Sequence, residues 1–203
     1  MKKFLKKLFY RKIGNELKDC KTVLDVGCGH SSMLEKFPRE RFESTGIDKY
    51  APYIEAAKAK NIFDHYIVDD ITTHRFLEQS FDAVIGFGII EHLEKKDSVH
   101  LVNNVESWAK KKIILEFPNG FLPTLEEHLR GNEELDELQR HKCGWTAKEL
   151  RAKGYSVRGV NGLKWARSLP GGNLGLLNKL CYPLTYFFPS LAYELLAIKT
   201  LES

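Results

Sequence analysis

The chain has 203 residues, is 43% hydrophobic and 29% charged, and carries a formal net charge of +4. That balance fits one soluble globular domain over residues 1–203, with a sizeable core and little room for a second domain. Much of the basic excess sits in Lys2, Lys3, Lys6, Lys7, Arg11 and Lys12, so charge alone does not imply nucleic-acid binding. No apolar run reaches the length of a membrane span. Cys20, Cys28, Cys143 and Cys181 are widely spaced without a Cys-x-x-Cys pair. That spacing argues for reduced thiols in a cytoplasmic protein, with no disulfide framework and no metal site.

Residues 1 to about 18 read as an amphipathic helix, with Phe4, Leu5, Leu8, Phe9, Ile13 and Leu17 at helical spacing between lysines. The favoured reading packs it on the domain. The alternative is peripheral contact with an anionic membrane surface. Val23-Leu24-Asp25-Val26 is a buried strand that enters a turn, Gly27-Cys28-Gly29. Ser31 or Ser32 then caps a short helix, Met33 to Phe37, which Pro38 ends. A strand, a glycine turn and a helix start together form a nucleotide-cofactor site. The third glycine of the dinucleotide fingerprint is replaced by Ser32, which weakens an NAD reading. Asp25 at the strand end suits a cofactor with a cationic amino-acid tail. The stretch resembles motif I of the class I S-adenosylmethionine (SAM)-dependent methyltransferases. The resemblance implies SAM as cofactor, held by Asp25, Gly27, Cys28 and Gly29.

Phe42 to Asp48 form the next strand, and Asp48 lies where an acidic strand end hydrogen-bonds ribose hydroxyls. Lys49 follows it in the same turn as a further candidate cofactor contact, and Pro52 to Lys60 make a helix. After the strand His65 to Val68, the resemblance sets Asp70 beside the adenine amino group and packs Ile71 on the ring. Phe81 to Gly86 is an apolar strand, continued by Phe87-Gly88-Ile89-Ile90-Glu91-His92-Leu93. Phe-Asp-x-Val followed by Glu-His-Leu looks like motif IV of methyltransferases of the quinone-biosynthesis type, so Gly86 and Phe87 would line the cofactor. Asn-Pro-Pro-Tyr, Asp-Pro-Pro-Tyr and Pro-Cys are absent from this strand end, which lowers a base-methylating reading.

Val99 to Ala109 read as a helix and Lys112 to Phe117 as the fifth strand, closed by Pro118-Asn119-Gly120. Thr124-Leu125-Glu126-Glu127 is a capping box that opens an acidic helical stretch to about Arg140, either a cover for the site or a solvated surface helix. Thr146 to Glu149 is a second capping box, for a helix that stops at Gly154. Tyr155 to Val160 is the sixth strand. Residues 119–145 and 161–190 read as insertions walling the substrate side. Tyr193 to Thr200 is the last strand, antiparallel beside the fifth. The fold class is α/β: a Rossmann-like, seven-stranded, mostly parallel sheet with helices on both faces and an antiparallel last strand.

The function that follows is methyl transfer from SAM to a small or lipid-like acceptor by in-line nucleophilic attack. No nucleic-acid partner is expected. A catalytically silent SAM-binding module and an NAD-dependent oxidoreductase are the alternatives. His92 and His141 are the candidate bases, and Glu91, Asn119 and Trp145 the candidate acceptor contacts.

Overall fold

The computed structural model describes residues 2–124, 131–164 and 181–201. Helix α1 (Lys2–Glu16) leads into β1 (Thr22–Val26), then β2 (Glu43–Asp48), α2 (Ala51–Ala59), β3 (His65–Val68) and β4 (Phe81–Phe87). The rest of the described chain is α3 (Lys95–Trp108), β5 (Ala109–Pro118), α4 (Glu133–Leu138), α5 (Ala147–Ala152), β6 (Ser156–Leu163), α6 (Tyr182–Phe187) and β7 (Ala192–Thr200).

One seven-stranded sheet takes the order β3-β2-β1-β4-β5-β7-β6. The five strands from β3 to β5 are parallel neighbours, and β7 pairs antiparallel with both β5 and β6. The expected last strand is therefore found where the sequence places it. Strand residues alternate between two cores because successive side chains point to opposite faces. Leu24, Val84, Ile113 and Leu115 join Leu101 and Val105 of α3 and Leu150 of α5. Val23, Ala83, Ile85 and Ile114 join Ile13 of α1, Leu17 just beyond it, and Ile54 and Ala57 of α2. Helices thus cover both faces.

The second half of α1 packs as expected: Ile13 and Leu17 are fully buried, Arg41 donates to the Gly14 carbonyl at 2.5 Å, and Lys112 bonds Glu16 at 3.2 Å. No described helix is long and apolar enough to cross a membrane.

Three boundaries differ from the sequence reading. Helix α3 starts at Lys95, and β5 follows it directly at Ala109, because the helix end at Trp108 is already seated in the core. The segment after the first glycine turn is only a 3₁₀ turn, Met33–Lys36, stopped by Phe37, whose extended backbone precedes Pro38. Residues 125–127 of the first capping box lie outside the described residues. Among the described ones, Thr124 accepts from the His141 N–H at 2.7 Å, and α4 is capped instead by Asn132, whose side chain accepts from Leu135 N–H at 3.0 Å. The second capping box forms as expected, with Thr146 and Glu149 bonding each other's backbone N–H.

Candidate functional site

Strands β1 and β4 are neighbours whose chains depart to opposite sides of the sheet. Such a switch point opens a crevice at the carboxyl ends of the strands. A cleft of about 420 Å³ lies there, lined by the Gly27–Ser31 turn, the ends of β2 and β4, and the start of the following segments.

The turn is held by backbone chemistry. Gly27 and Gly29 have φ of +64° and +59°, the left-handed region where a side chain is strained. The N–H groups of Gly27 and Cys28 donate to the Ile47 carbonyl at 2.9 and 3.1 Å. The two glycines serve different needs. A Cβ on Gly27 would lie 2.5 Å from the Ile89 side chain, whereas one on Gly29 would meet only Tyr53, at 3.9 Å. Gly27 permits packing, and Gly29 keeps the cleft side of the turn open.

Asp48 ties the turn to β2. Its two carboxylate oxygens accept the N–H of Gly29 and the N–H of Tyr50, each at 2.9 Å. Burial pushes its pKa up, and the two backbone donors pull it back. Lone pairs on both oxygens are left for a diol. Ile71 and Phe87 give the cleft apolar walls, and Cys28 and Lys49 also line it. The Asp70 carboxylate borders the cleft but already holds Lys49 at 2.7 Å and the Thr72 N–H and hydroxyl at 2.9 and 2.7 Å.

Asp25 departs from expectation. It is 3% exposed, lies beneath the turn, and accepts the Ser32 hydroxyl at 2.5 Å. Ser32 Oγ in turn accepts from Leu34 N–H at 3.0 Å. Burial raises the Asp25 pKa to about 7, the Ser32 bond opposes the rise, and the charge of Asp48 adds to it. Asp25 is a strut under the turn and does not face the cleft. The 3₁₀ turn that follows is too short to supply a helix dipole, so the helix-terminus part of the expected site is also absent.

His92 also lines the cleft. Behind it lie Glu91, 5% exposed, and His141. The Glu91 carbonyl accepts the N–H groups of Lys142 and Cys143 at 2.7 and 3.1 Å, and the Ile90 carbonyl accepts the Cys143 thiol at 3.2 Å. These bonds bring His141 to His92, with ring centroids 4.9 Å apart. His92 Nδ1 lies 3.3 Å from the Arg140 carbonyl, and His141 Nδ1 lies 2.5 Å from the Leu122 carbonyl. A carbonyl only accepts, so each Nδ1 carries a proton, and a neutral ring held in this way has its lone pair on Nε2. Burial, then the neighbouring His141, lowers the His92 pKa to about 4. Burial raises Glu91 to about 8.

Residues 23–112 match the model of a methyltransferase domain. Over 88 residues the chain is 36% identical to the mitochondrial ubiquinone biosynthesis O-methyltransferase of Candida albicans, covering 39% of this chain and 27% of that protein. Over 86 residues it is 30% identical to a probable tRNA methyltransferase 9B of Bos taurus, covering 42% and 18%. The chain therefore spans well under half the length of these two relatives. A SAM-dependent methyltransferase from Archaeoglobus fulgidus superposes with a TM-score of 0.64 at 20% identity, covering 97% of this chain and 93% of that one. The fold is that of the class I SAM-dependent methyltransferases.

Within that fold, several expected contacts fall elsewhere. Gly86 does not line the cleft: a Cβ there would press on Val26, Ile89 and Leu115 at 3.0–3.2 Å, so the glycine serves close packing. Asn119 is 7% exposed, and its amide donates to the carbonyls of Pro189, Ser190 and Ala192 at 2.9–3.2 Å. It fastens the end of β5 to the approach to β7. Trp145 is 2% exposed, donates to Ser98 Oγ at 2.7 Å, and has the Lys95 ammonium 3.7 Å from its ring centroid. It is a core residue. None of the described residues 161–164 and 181–190 lines this cleft; residues 165–180 lie outside the described residues.

The methyltransferase fold also uses residues the sequence reading passed over. Ile89, Leu135, Leu138 and Gln139 line the cleft, so α4 and the residue after it border the site. Leu135 and Leu138 are the only apolar residues between Gly131 and Arg140, a spacing that marks one helix face and could have exposed the role of α4.

Proposed function

We propose that this chain transfers the methyl group of SAM to a small or lipid-like acceptor in the switch-point cleft. The observation that carries the reading is the Gly27-Cys28-Gly29 turn bound through its Gly29 N–H to Asp48 at the mouth of the cleft. When bound, SAM supplies a methyl group on sulfur that is already electrophilic and brings its own leaving group. The chain's task is then to bind, orient and exclude water. Asp48 offers acceptors to ribose hydroxyls, Ile71 and Phe87 offer apolar surface to a flat ring, and Gly29 leaves room beside them. Leu135 and Leu138 on α4 close the acceptor side to water. The partial match to a ubiquinone biosynthesis O-methyltransferase supports a small acceptor. His92, with a pKa of about 4, is a weak base at neutral pH, so deprotonation of an acceptor hydroxyl by His92 alone is disfavoured.

Calorimetry with S-adenosylhomocysteine and with NAD tests the cofactor. Binding of the first and none of the second is expected; the reverse would overturn the assignment. Release of S-adenosylhomocysteine across small phenolic, quinol and lipid acceptors and tRNA then tests the acceptor class. Turnover confined to tRNA would replace the small-acceptor reading.

A further inference from the structure

We infer that the outer face of α6, together with the basic helix α1, docks this protein on an anionic lipid bilayer. Helix α6 is amphipathic with its polarity reversed. Leu184, Phe187 and Phe188 recur at the spacing of one helix face, and Leu191 follows through the next 3₁₀ turn. These four side chains are 45%, 67%, 57% and 41% exposed. The residue that α6 turns inward is Thr185, fully buried, whose hydroxyl donates to the Tyr182 carbonyl of the same helix at 3.1 Å. The Thr185 carbonyl lies so close to Gly159 of β6 that no Cβ fits between them. A helix that buries threonine and turns leucine and phenylalanine outward leaves apolar surface in water at a cost in free energy. Such a patch marks a surface that something else covers.

Phe121 extends the patch. It is exposed and lies two residues beyond Asn119, whose amide fastens to the carbonyls of Pro189, Ser190 and Ala192. Of the eight large apolar side chains exposed among the described residues, five therefore gather where β5 and β6 end and β7 begins. Cations flank them. The Arg158 guanidinium stands 5.5 Å from the Tyr186 ring centroid, and Lys164 Nζ donates to the Asn119 carbonyl at 2.6 Å. The carboxylates of this edge, Glu116 and Glu194, are bridged by the Asn161 amide. Burial, then the charge of Glu194, pushes the Glu116 pKa up, so the pair carries less negative charge than two solvated carboxylates. Helix α1 adds to the positive side. It ends at the amino edge of the sheet, where Lys112 bonds Glu16, and runs back over the sheet from there. Its Lys6, Lys7 and Arg11 are exposed, with Leu8 exposed between them. An apolar side chain among outward cations is the pattern of a helix lying in a membrane interface.

Charge selects the occupant. A two-fold interface between copies of this chain would set the patch against itself, cation against cation. An anionic bilayer meets both halves of the surface: its acyl region takes the phenylalanines and leucines, and its headgroup phosphates take the lysines and arginines. The acidic face of α4 sets the tilt. Exposed Glu133, Glu134 and Glu137 lie toward the β2 side, where the Asn132 amide donates to the Tyr50 hydroxyl at 3.4 Å, and anionic headgroups repel them. The β6 end therefore meets the bilayer and the α4 end stands off. The docking does not depend on the methyl-transfer reading; on that reading, it brings the edge of the sheet that carries the cleft to the surface from which a lipid-like acceptor comes.

Sedimentation of the full chain with vesicles tests the surface without turnover. Vesicles of phosphatidylcholine alone are compared with vesicles of phosphatidylcholine and phosphatidylglycerol, at about 0.1 M and about 0.5 M salt. Binding to the anionic vesicles is expected to be at least about tenfold tighter than to the neutral ones, and to weaken at the higher salt. Phe187→Ser/Phe188→Ser should weaken it at least about tenfold, and so should Lys6→Glu/Lys7→Glu. Leu77→Ser, at an exposed side chain beside the start of β4, should leave it within about twofold, because that residue lies away from the patch. All of these side chains are exposed, so melting temperature should hold within about 3 °C in every variant. Should a double variant not fold, Phe187→Ser and Lys7→Glu alone decide, each expected to weaken vesicle binding at least about threefold. No binding by the parent, equal binding to neutral and anionic vesicles, or undiminished binding by the phenylalanine variant would each overturn the docking surface. Self-association of the parent, lost in the phenylalanine variant and unaccompanied by vesicle binding, would give the patch to a second copy instead. Vesicle binding by a parent that takes no S-adenosylhomocysteine would uphold the docking and count against the methyl-transfer reading alone.

Discussion

The two ends of the cleft are built in different ways. At the glycine-turn end, each contributing residue lies at the end of a strand or in the turn that follows it. Gly27 and Gly29 follow β1, Asp48 ends β2, Ile71 follows β3 and Phe87 ends β4. Parallel pairing in the order β3-β2-β1-β4 puts those ends side by side. At the second, around His92, His141 is brought in by Lys142 and Cys143 donating to the Glu91 carbonyl and Trp145 donating to Ser98. The first end is a property of strand register. The second is a property of a loop sewn onto another loop. Substitutions at the first end should therefore alter binding, and substitutions at the stitching of the second should alter stability.

The largest expected effect is at that stitching. Trp145→Ala should lower unfolding free energy by about 3–5 kcal/mol, measured in urea. The folded fraction should keep its S-adenosylhomocysteine affinity. Lost affinity with unchanged stability would return Trp145 to the cleft and dissolve the contrast.

A smaller effect separates two carboxylates within the glycine-turn end. Asp25 titrates near 7 when folded, against a reference value of 3.8. The folded state therefore holds its proton more tightly, and stability falls as pH rises from the reference value through the folded one. Asp25→Asn removes that loss. The variant's stability relative to the parent should grow between pH 5 and pH 8 by roughly 2–3 kcal/mol, read from thermal unfolding at both values. A difference that stays flat with pH would show that Asp25 is not the buried strut described.

The smallest effect concerns Asp48, the carboxylate that does face the cleft. Asp48→Ala should weaken S-adenosylhomocysteine binding by about 1–3 kcal/mol, the range for losing charge-assisted hydrogen bonds. Calorimetry on the folded variant checks it, and unchanged affinity would leave the glycine turn as the sole anchor.

The amino-acid sequence by itself determined the sheet and the glycine-turn end of the cleft. Apolar runs of strand length, glycines where positive φ is needed, and acidic residues at strand ends are local signals. The parallel βαβ rules convert them into neighbours. Which way each side chain turned was left to the tertiary structure. Asp25 and Asp48 both look like cofactor ligands in the chain, yet one is folded under the turn by Ser32 and the other faces the cleft. Trp145 and Asn119 follow the fifth strand as acceptor contacts would, yet Ser98 and the carbonyls before β7 draw them inward. Glu91, His92 and His141 came together for the same reason. Their meeting rests on backbone hydrogen bonds between segments far apart in sequence, and no spacing rule encodes bonds of that kind.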